Sequence, residues 1–429
     1  NDRICEDGYE RCRHPEDVFI DHEPLTHVTS LSQVGPGSWY FDYGANRIYI
    51  GEDPNGHLVE TSVTDHAFVP HADRVTIRNL IVEKYANPVQ QPAILAYGSY
   101  DWIVDGVTAR LNHSSGIGLG HRMQITNNRA IHNGQIGIAG IGDDVVVYGN
   151  EIAYNNWAHF NQYWEAGGTK FVRTNRLLVS NNYVHSNYGV GLWTDIDNVN
   201  STIEDNIVFN NARIGIYHEI SYAAVIRNNI VKSNNVFYMP GVYGGQIQVA
   251  ESSDTEVYGN TVVVNAAGGN GISVVNTTRG SGSQGEWWSH NNYVHHNTIV
   301  HLRQDGFSGV QVHNYDIDRF WREHNNRFDY NTYYVLNESH DKLWKWHGGS
   351  RSLAEMNNYG QERNAEIRVG VPQGANLIPA WGNSLVAYEP RQDVELELEV
   401  TALYLVDADT DQIIGELEDG AVIDLETMP

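Results

Sequence analysis

Asparagine recurs along the middle of the chain at a spacing that few folds can use. Six segments read ITNNRAIHN, VYGNEIAYNN, VSNNYVHSN, IEDNIVFNN, IRNNIVKSNN and VYGNTVVVN, and they align on Asn128, Asn150, Asn182, Asn206, Asn229 and Asn260. Fainter copies fall at Asn79, Gly106, Asn297 and Asn331. Three of the steps are 22 to 24 residues long; those of 32 after Asn150, 31 after Asn229 and 37 after Asn260 read as one period plus an inserted loop. In each copy a β-branched run is broken by Asn, followed by apolar residues and then by Asn again. A period in the low twenties with three short strands per unit is that of a parallel β-helix. One coil cannot bury its own apolar face, so coils stack at the strand spacing of about 4.8 Å. A leucine-rich repeat would carry Leu at fixed offsets, and these are missing. Asn suits the tight turns, which need a residue tolerant of the left-handed conformation. Stacked Asn side chains also hydrogen-bond up the ladder. Nine to eleven coils with almost no α-helix are expected.

The flanks differ. Residues 1–72 lie outside the repeat, and GSWYFDYGANRIYIGEDPNG reads as a hairpin turning at Gly44-Ala45-Asn46, part of a small N-terminal β cap. The β-helix occupies 73–345. A terminal coil and linker follow over 346–392, with a short helix at Ser352 to Asn358. Residues 393–429 alternate as strands with acidic turns, a β tail that reads as the start of a β-sandwich. The fold class is all-β, a single-stranded parallel β-helix with a β cap and a β tail.

Charge narrows the partners. Fifty-three acidic against 27 basic side chains give −26, which repels nucleic acid. No run of 18 apolar residues is present, so no membrane-spanning helix is expected. Cys5 and Cys12 have no histidine pair near them and read as a small disulfide loop. With the acidic surface, this points to a secreted protein. A β-helix can work alone, so a monomer is expected.

The coils from about Val75 to Val335, some three fifths of the chain, resemble the right-handed parallel β-helix superfamily of pectin lyases, polygalacturonases and related polysaccharide-degrading enzymes. The resemblance implies a right-handed helix and a polysaccharide or oligosaccharide substrate. It does not imply a reaction, because the superfamily includes hydrolases, lyases, epimerases, esterases and phage tailspikes. The Asn-Thr-Asp tripeptide with its Asp-Asp pair, and the Asp-Pro-His motif of mannuronan epimerases, are absent. No catalytic residue is therefore carried over.

The site has to come from register. Thirteen residues beyond Asn182 stands Asp195, and thirteen beyond Asn206 stands Glu219. Alternation in GLWTDIDN and GIYHEISY turns Trp193, Asp195 and Asp197 outward, and one coil on Tyr217 and Glu219. Trp193 should stack on Tyr217, and Asp195 on Glu219. Two carboxylates about 5 Å apart cannot both ionise easily, so one should keep its proton. A protonated acid beside an ionised partner is what glycoside hydrolysis requires. Asp195 with Glu219 suits a nucleophile and an acid, whereas Asp197 diagonal to Glu219 suits an acid and a water-activating base; the register leaves both open. An acidic stripe or a calcium site tying coils together is the alternative role for these acids.

Around them, Gly118, Gly120 and Ala139 should leave an open floor. Trp193 and Tyr217 offer flat faces to a sugar. The unusual string Trp164-Glu165-Ala166-Gly167-Gly168-Thr169-Lys170 should overhang the cleft, with Glu165 as a reserve acid and Trp164 and Lys170 as contacts; a bridge from Lys170 to Glu165 is the structural alternative. Loops 237–245 and 276–290 should wall the far end, with Gln246, Gln248 and Trp288 as sugar contacts. His218 should face inward beside Thr194 unless a bulge turns it to the substrate. The residues favour a glycoside hydrolase that needs no cofactor. The alternatives are a calcium-dependent lyase or epimerase on a uronate polymer, in which the same acids would hold the ion, and a non-catalytic glycan binder.

Overall fold

The structure is a computed structural model that describes residues 5–235, 243–264, 269–304, 306–373, 375, 403–406 and 413–417. Ten coils, each with one strand in each of three parallel sheets, stack into a β-helix. The first sheet has ten strands, from Thr76–Arg78 to Arg327–Asp329. The second has eleven, from Ile81–Glu83 to Glu366–Val369. The third also has eleven; it starts at Pro92–Ile94, runs to Trp344–Trp346 and ends on the antiparallel strand Gly349–Arg351.

Most strands are three residues long and present the middle one inward, as a period of two demands. The first sheet thereby stacks Ile77, Val104, Ile125, Val147, Val179, Ile203 and Ile226 into one column. All of these are buried. Burying each such side chain is worth about 1.5–3 kcal/mol, so the coils hold one another rather than themselves.

The asparagines divide the labour that the sequence assigns to one residue. The aligned set, Asn128 through Asn331, is buried, and each amide joins the next coil. Asn128 N and Nδ2 donate to Asn150 Oδ1 at 2.9 and 3.0 Å, and the pattern repeats through Asn182, Asn206, Asn229, Asn260, Asn297 and Asn331. The left-handed turn belongs to the residue before: Asn127 (φ 56°), Gly149 (69°), Asn181 (58°), Asp205 (56°), Asn228 (57°) and Gly259 (65°). Asn79 and Gly106 fall in this second column, with φ of 55° and 67°. Five residues on, a parallel ladder runs through Asn112, Asn133, Asn155, Asn187, Asn211 and Asn234 and ends on Gln246 Oε1. Gln246 is thus a ladder cap rather than a sugar contact.

At the N-terminal end, the hairpin Ser38–Asp42 with Arg47–Ile50 forms as expected, and Cys5 and Cys12 are joined in a disulfide. Among the described residues two short α-helices interrupt the all-β pattern: α1 (Ile317–Glu323), capped by Asp316, and α2 (Leu353–Asn358), capped by Ser352 with Glu355 in a capping box. The second is the expected one. Near the C-terminus Leu403–Val406 pairs antiparallel with Ile413–Leu417, while 393–402 and the end of the chain lie outside the described residues. Among the described residues no helix is long and apolar enough to cross a membrane.

Candidate active site

The third sheet places Trp193 against Tyr217, Thr194 against His218 and Asp195 against Glu219, in the register read from the Asn repeat. Trp193 and Tyr217 stack with centroids 5.6 Å apart and planes 19° off parallel. One coil earlier Lys170 follows the same outward row, after Gly118 and Ala139. Its Nζ lies 2.9 Å from Asp195 Oδ2, donates to Trp164 O at 2.6 Å and sits 4.2 Å from the Trp193 ring centroid. The lysine therefore pairs with Asp195, not with Glu165.

The site is closed rather than an open cleft. Lys170, Trp193, Asp195 and Glu219 are all buried, with Asp195 only 4% and Glu219 only 6% exposed. The expected floor of small residues is filled, because a side chain on Gly118 would meet Pro92 and Tyr97, and one on Gly120 would meet Ser99 and Ala96. On the other side the 276–290 loop is tied down at three carboxylates. Arg279 Nη1 donates to Glu219 Oε1 at 2.6 Å. Thr277 donates to Glu251 Oε1 through its N (2.8 Å) and Oγ1 (2.7 Å). Ser283 N donates to Asp197 Oδ1 at 2.8 Å.

Electrostatics separates the acids. Burial, reinforced by the charge of Asp195 and opposed by Arg279, raises the Glu219 carboxyl. Burial pushes Glu251 up to about 7. Burial also raises Glu165, with Lys170 opposing and Asp195 adding to the shift. Asp195 has an ammonium on Oδ2, while Oδ1 is buried without a hydrogen-bond partner. The Trp193 indole N–H is likewise buried and unpartnered. This site thus holds one buried acceptor and one buried donor without a protein partner, an arrangement that costs about 1–3 kcal/mol for each group left unsatisfied.

Asp197 does not face Glu219, because the strand ends at Asp195. Ile196 and Asp197 are both left-handed (φ 59° and 65°), so alternation stops there and the Asp197 carboxylate anchors the 281–286 hairpin. His218 points into the core, bonded through Nδ1 to Thr194 Oγ1 at 2.8 Å, and burial holds its imidazole down at about 3. It is a core residue and not a substrate contact. Gln248 is buried and accepts from Gly244 N at 3.0 Å, which makes it a brace for the adjoining loop. Trp288 packs on the core and stacks on His290, 4.4 Å between centroids. Loop residues 236–242 lie outside the described residues. Glu165 and Trp164 do border the site: Glu165 Oε2 accepts from Gln90 Nε2 at 2.6 Å, and the Trp164 carbonyl holds Lys170.

Glu251 and Arg279 are the members that sequence reading misses. Register sets Ala250 opposite Glu219, so Glu251 falls one residue out of line. It reaches the site because the residue closing this strand is left-handed in successive coils, at Ile196, Ile220 (37°) and Glu251 (46°). A β-branched residue at positive φ is strained. Here one directly follows each of the two paired acids. Arg279 arrives on a loop, and no period places it. Among the described residues no three His, Cys, Asp or Glu side chains come together as a metal-ligating group.

Comparison with known proteins bears on the fold. A family model described as the right handed beta helix region matches residues 92–262. The solved complex of XylC with xylose is similar at a TM-score of 0.61 and 15% identity, over 82% of this chain and 67% of that one. The A-module of the mannuronan C-5 epimerase AlgE4 of Azotobacter vinelandii gives a TM-score of 0.37 and 14% identity, over 64% and 61% of the two chains. The Dettilon tailspike protein gives 0.40 and 15%, over 70% and 60%. No curated protein sequence matches. Three stacked parallel sheets and the matched family model together make the chain a right-handed parallel β-helix protein.

Proposed function

We propose that the chain is a secreted, retaining glycoside hydrolase that works as a monomer without a cofactor. The carrying observation is the Asp195–Glu219 pair on adjacent coils. One acid is ion-paired with Lys170 and has a free oxygen; the other is pushed toward its protonated form. Stacked coils set the two carboxyls about 5 Å apart, the separation of a nucleophile and an acid rather than of an acid and a water-activating base. In the first step Glu219 gives its proton to the glycosidic oxygen as that bond breaks, and Asp195 Oδ1 bonds to the anomeric carbon. In the second step Glu219, now ionised, takes a proton from water, whose oxygen displaces Asp195. The Trp193 N–H holds a hydroxyl, while Lys170, between Trp193 and Asp195, fixes the carboxylate throughout. The closed walls suit a short oligosaccharide or a chain end better than the middle of a polymer. Xylosides belong in the substrate panel because the similarly folded XylC binds xylose.

Aryl glycosides with good and poor leaving groups test the roles. Asp195→Asn should lower turnover on both by about 10²-fold or more, and Glu219→Gln mainly on the poor ones. The product should carry ¹⁸O from labelled water with its anomeric configuration retained. Lys170 and Arg279 could equally neutralise a uronate carboxylate, which favours a lyase as the second reading. Unsaturated, ultraviolet-absorbing products from a uronate polymer, lost on calcium chelation, would replace the hydrolase with that reading.

A further inference from the structure

A second cleft, of about 470 Å³, opens near the C-terminal end of the third sheet. Its floor is Gln311 and Lys345, and α1 forms one wall through Ile317, Asp318 and Trp321. Gln311 continues the row of Asp195 and Glu219 by way of Ala250 and Val275, three coils beyond Glu219. At the strand spacing this puts it about 14 Å from the candidate catalytic acids. The active-site chemistry uses none of these residues.

The lining has the chemistry of sugar recognition, a fixed ring among planar polar groups. Trp321 is half-buried and held by a stack, with His347 3.9 Å from it and Tyr359 4.8 Å beyond. A ring fixed this way loses little freedom when a ligand arrives. Asp318 supplies a carboxylate for vicinal hydroxyls, and the Gln311 amide beside it is paired with the His313 ring. The cleft is poorly suited to an anion. Lys345 is already engaged by Ser350 Oγ at 2.8 Å and lies 4.1 Å from the Phe307 ring centroid, Asp318 adds a negative charge, and the whole chain carries −26.

We propose that this cleft is a second carbohydrate-binding site, which takes a neutral sugar ring of a polymeric glycan and holds the polymer beside the closed active site. That the glycan is also the substrate rests on the hydrolase reading above. Its binding in the cleft does not.

The experiment is affinity electrophoresis of the full chain carrying Glu219→Gln in gels of soluble xylan, glucomannan or polygalacturonate. One of the neutral polymers should retard the protein, and polygalacturonate should not. Adding Trp321→Ala, or separately Asp318→Ala, should weaken retardation about tenfold or more. Asp318 is exposed on α1, so its variant decides the matter if Trp321→Ala unfolds by circular dichroism. Retardation by neither neutral polymer, retardation only by polygalacturonate, or retardation unchanged in Asp318→Ala and in a folded Trp321→Ala, would overturn the site. If the wild-type chain hydrolyses no glycoside yet shows retardation that depends on Trp321 or Asp318, the hydrolase reading fails and the cleft stands. Hydrolysis without such retardation gives the reverse result.

Discussion

At the scale of single residues the candidate site depends on one buried ion pair. Lys170 and Asp195 are both almost fully covered, and neither charge has water to turn to. Breaking such a pair costs about 3–5 kcal/mol because the remaining charge is stranded. Lys170→Met should therefore lower the thermal midpoint sharply as well as abolish turnover. Lys170→Met combined with Asp195→Asn should recover most of the midpoint and none of the activity. Calorimetry on the two variants checks this, and a double variant no more stable than the single one would show that Lys170 acts by packing on Trp193 instead. The same scale explains His218. It sits in the right strand beside the right acid, yet its side chain falls on the inner face, between Thr194 and Val249.

At the scale of elements the buried Asn ladder and the left-handed column beside it make separable demands. Asn206 donates through Nδ2 to Val179 O, Glu204 O and Asn229 Oδ1, and its Oδ1 receives Asn182 N and Nδ2. Asn206→Ala should cost about 3–5 kcal/mol, since several buried groups lose partners worth about 1–3 kcal/mol each. Asn127 sits at φ 56° with an exposed side chain bond to Asp105. Asn127→Gly should be nearly neutral and Asn127→Ala should cost about 1 kcal/mol. Denaturant midpoints of the three variants separate the two jobs.

The ladder ends on Glu362, where Oε1 receives Asn331 Nδ2, the Tyr333 hydroxyl and Trp344 Nε1, while Oε2 is buried without a partner. Burial raises this carboxyl from 4.5 to about 7. The folded state thus holds the proton more tightly than the unfolded one. The stability this gives is complete below pH 4.5 and is lost as pH rises through about 7. Glu362→Gln should remove about 3 kcal/mol of that pH dependence, read as a flatter plot of unfolding free energy between those two values.

At the scale of the whole molecule, charge opposes the fold that stacking builds. A net −26 on one elongated chain repels itself, and salt screens the repulsion as the Debye length falls from about 30 Å at 0.01 M to about 3 Å at 1 M. The thermal midpoint should rise by several degrees across that range of sodium chloride. A fall would mean that surface pairs such as Arg122–Asp101 and Arg176–Asp144 outweigh the self-repulsion. Closure of the site also belongs to this scale. The 276–290 loop lies far along the chain from Asp195, yet it supplies Arg279 to Glu219 and an amide to Asp197.

The sequence by itself determined whatever repeats. The Asn spacing gives the coil count, the inward columns and the pairing of Asp195 with Glu219, because a stacked period converts chain distance directly into spatial register. Only the tertiary structure decided what falls between the periods. It closed the small-residue floor with Tyr97, brought in Arg279 and Glu251, gave Lys170 to Asp195 rather than to Glu165, and ended the strand before Asp197. Loops carry no period, and a single left-handed residue at a strand end changes which side of the wall the next side chain meets. Register therefore names the two acids, and the loops decide what surrounds them.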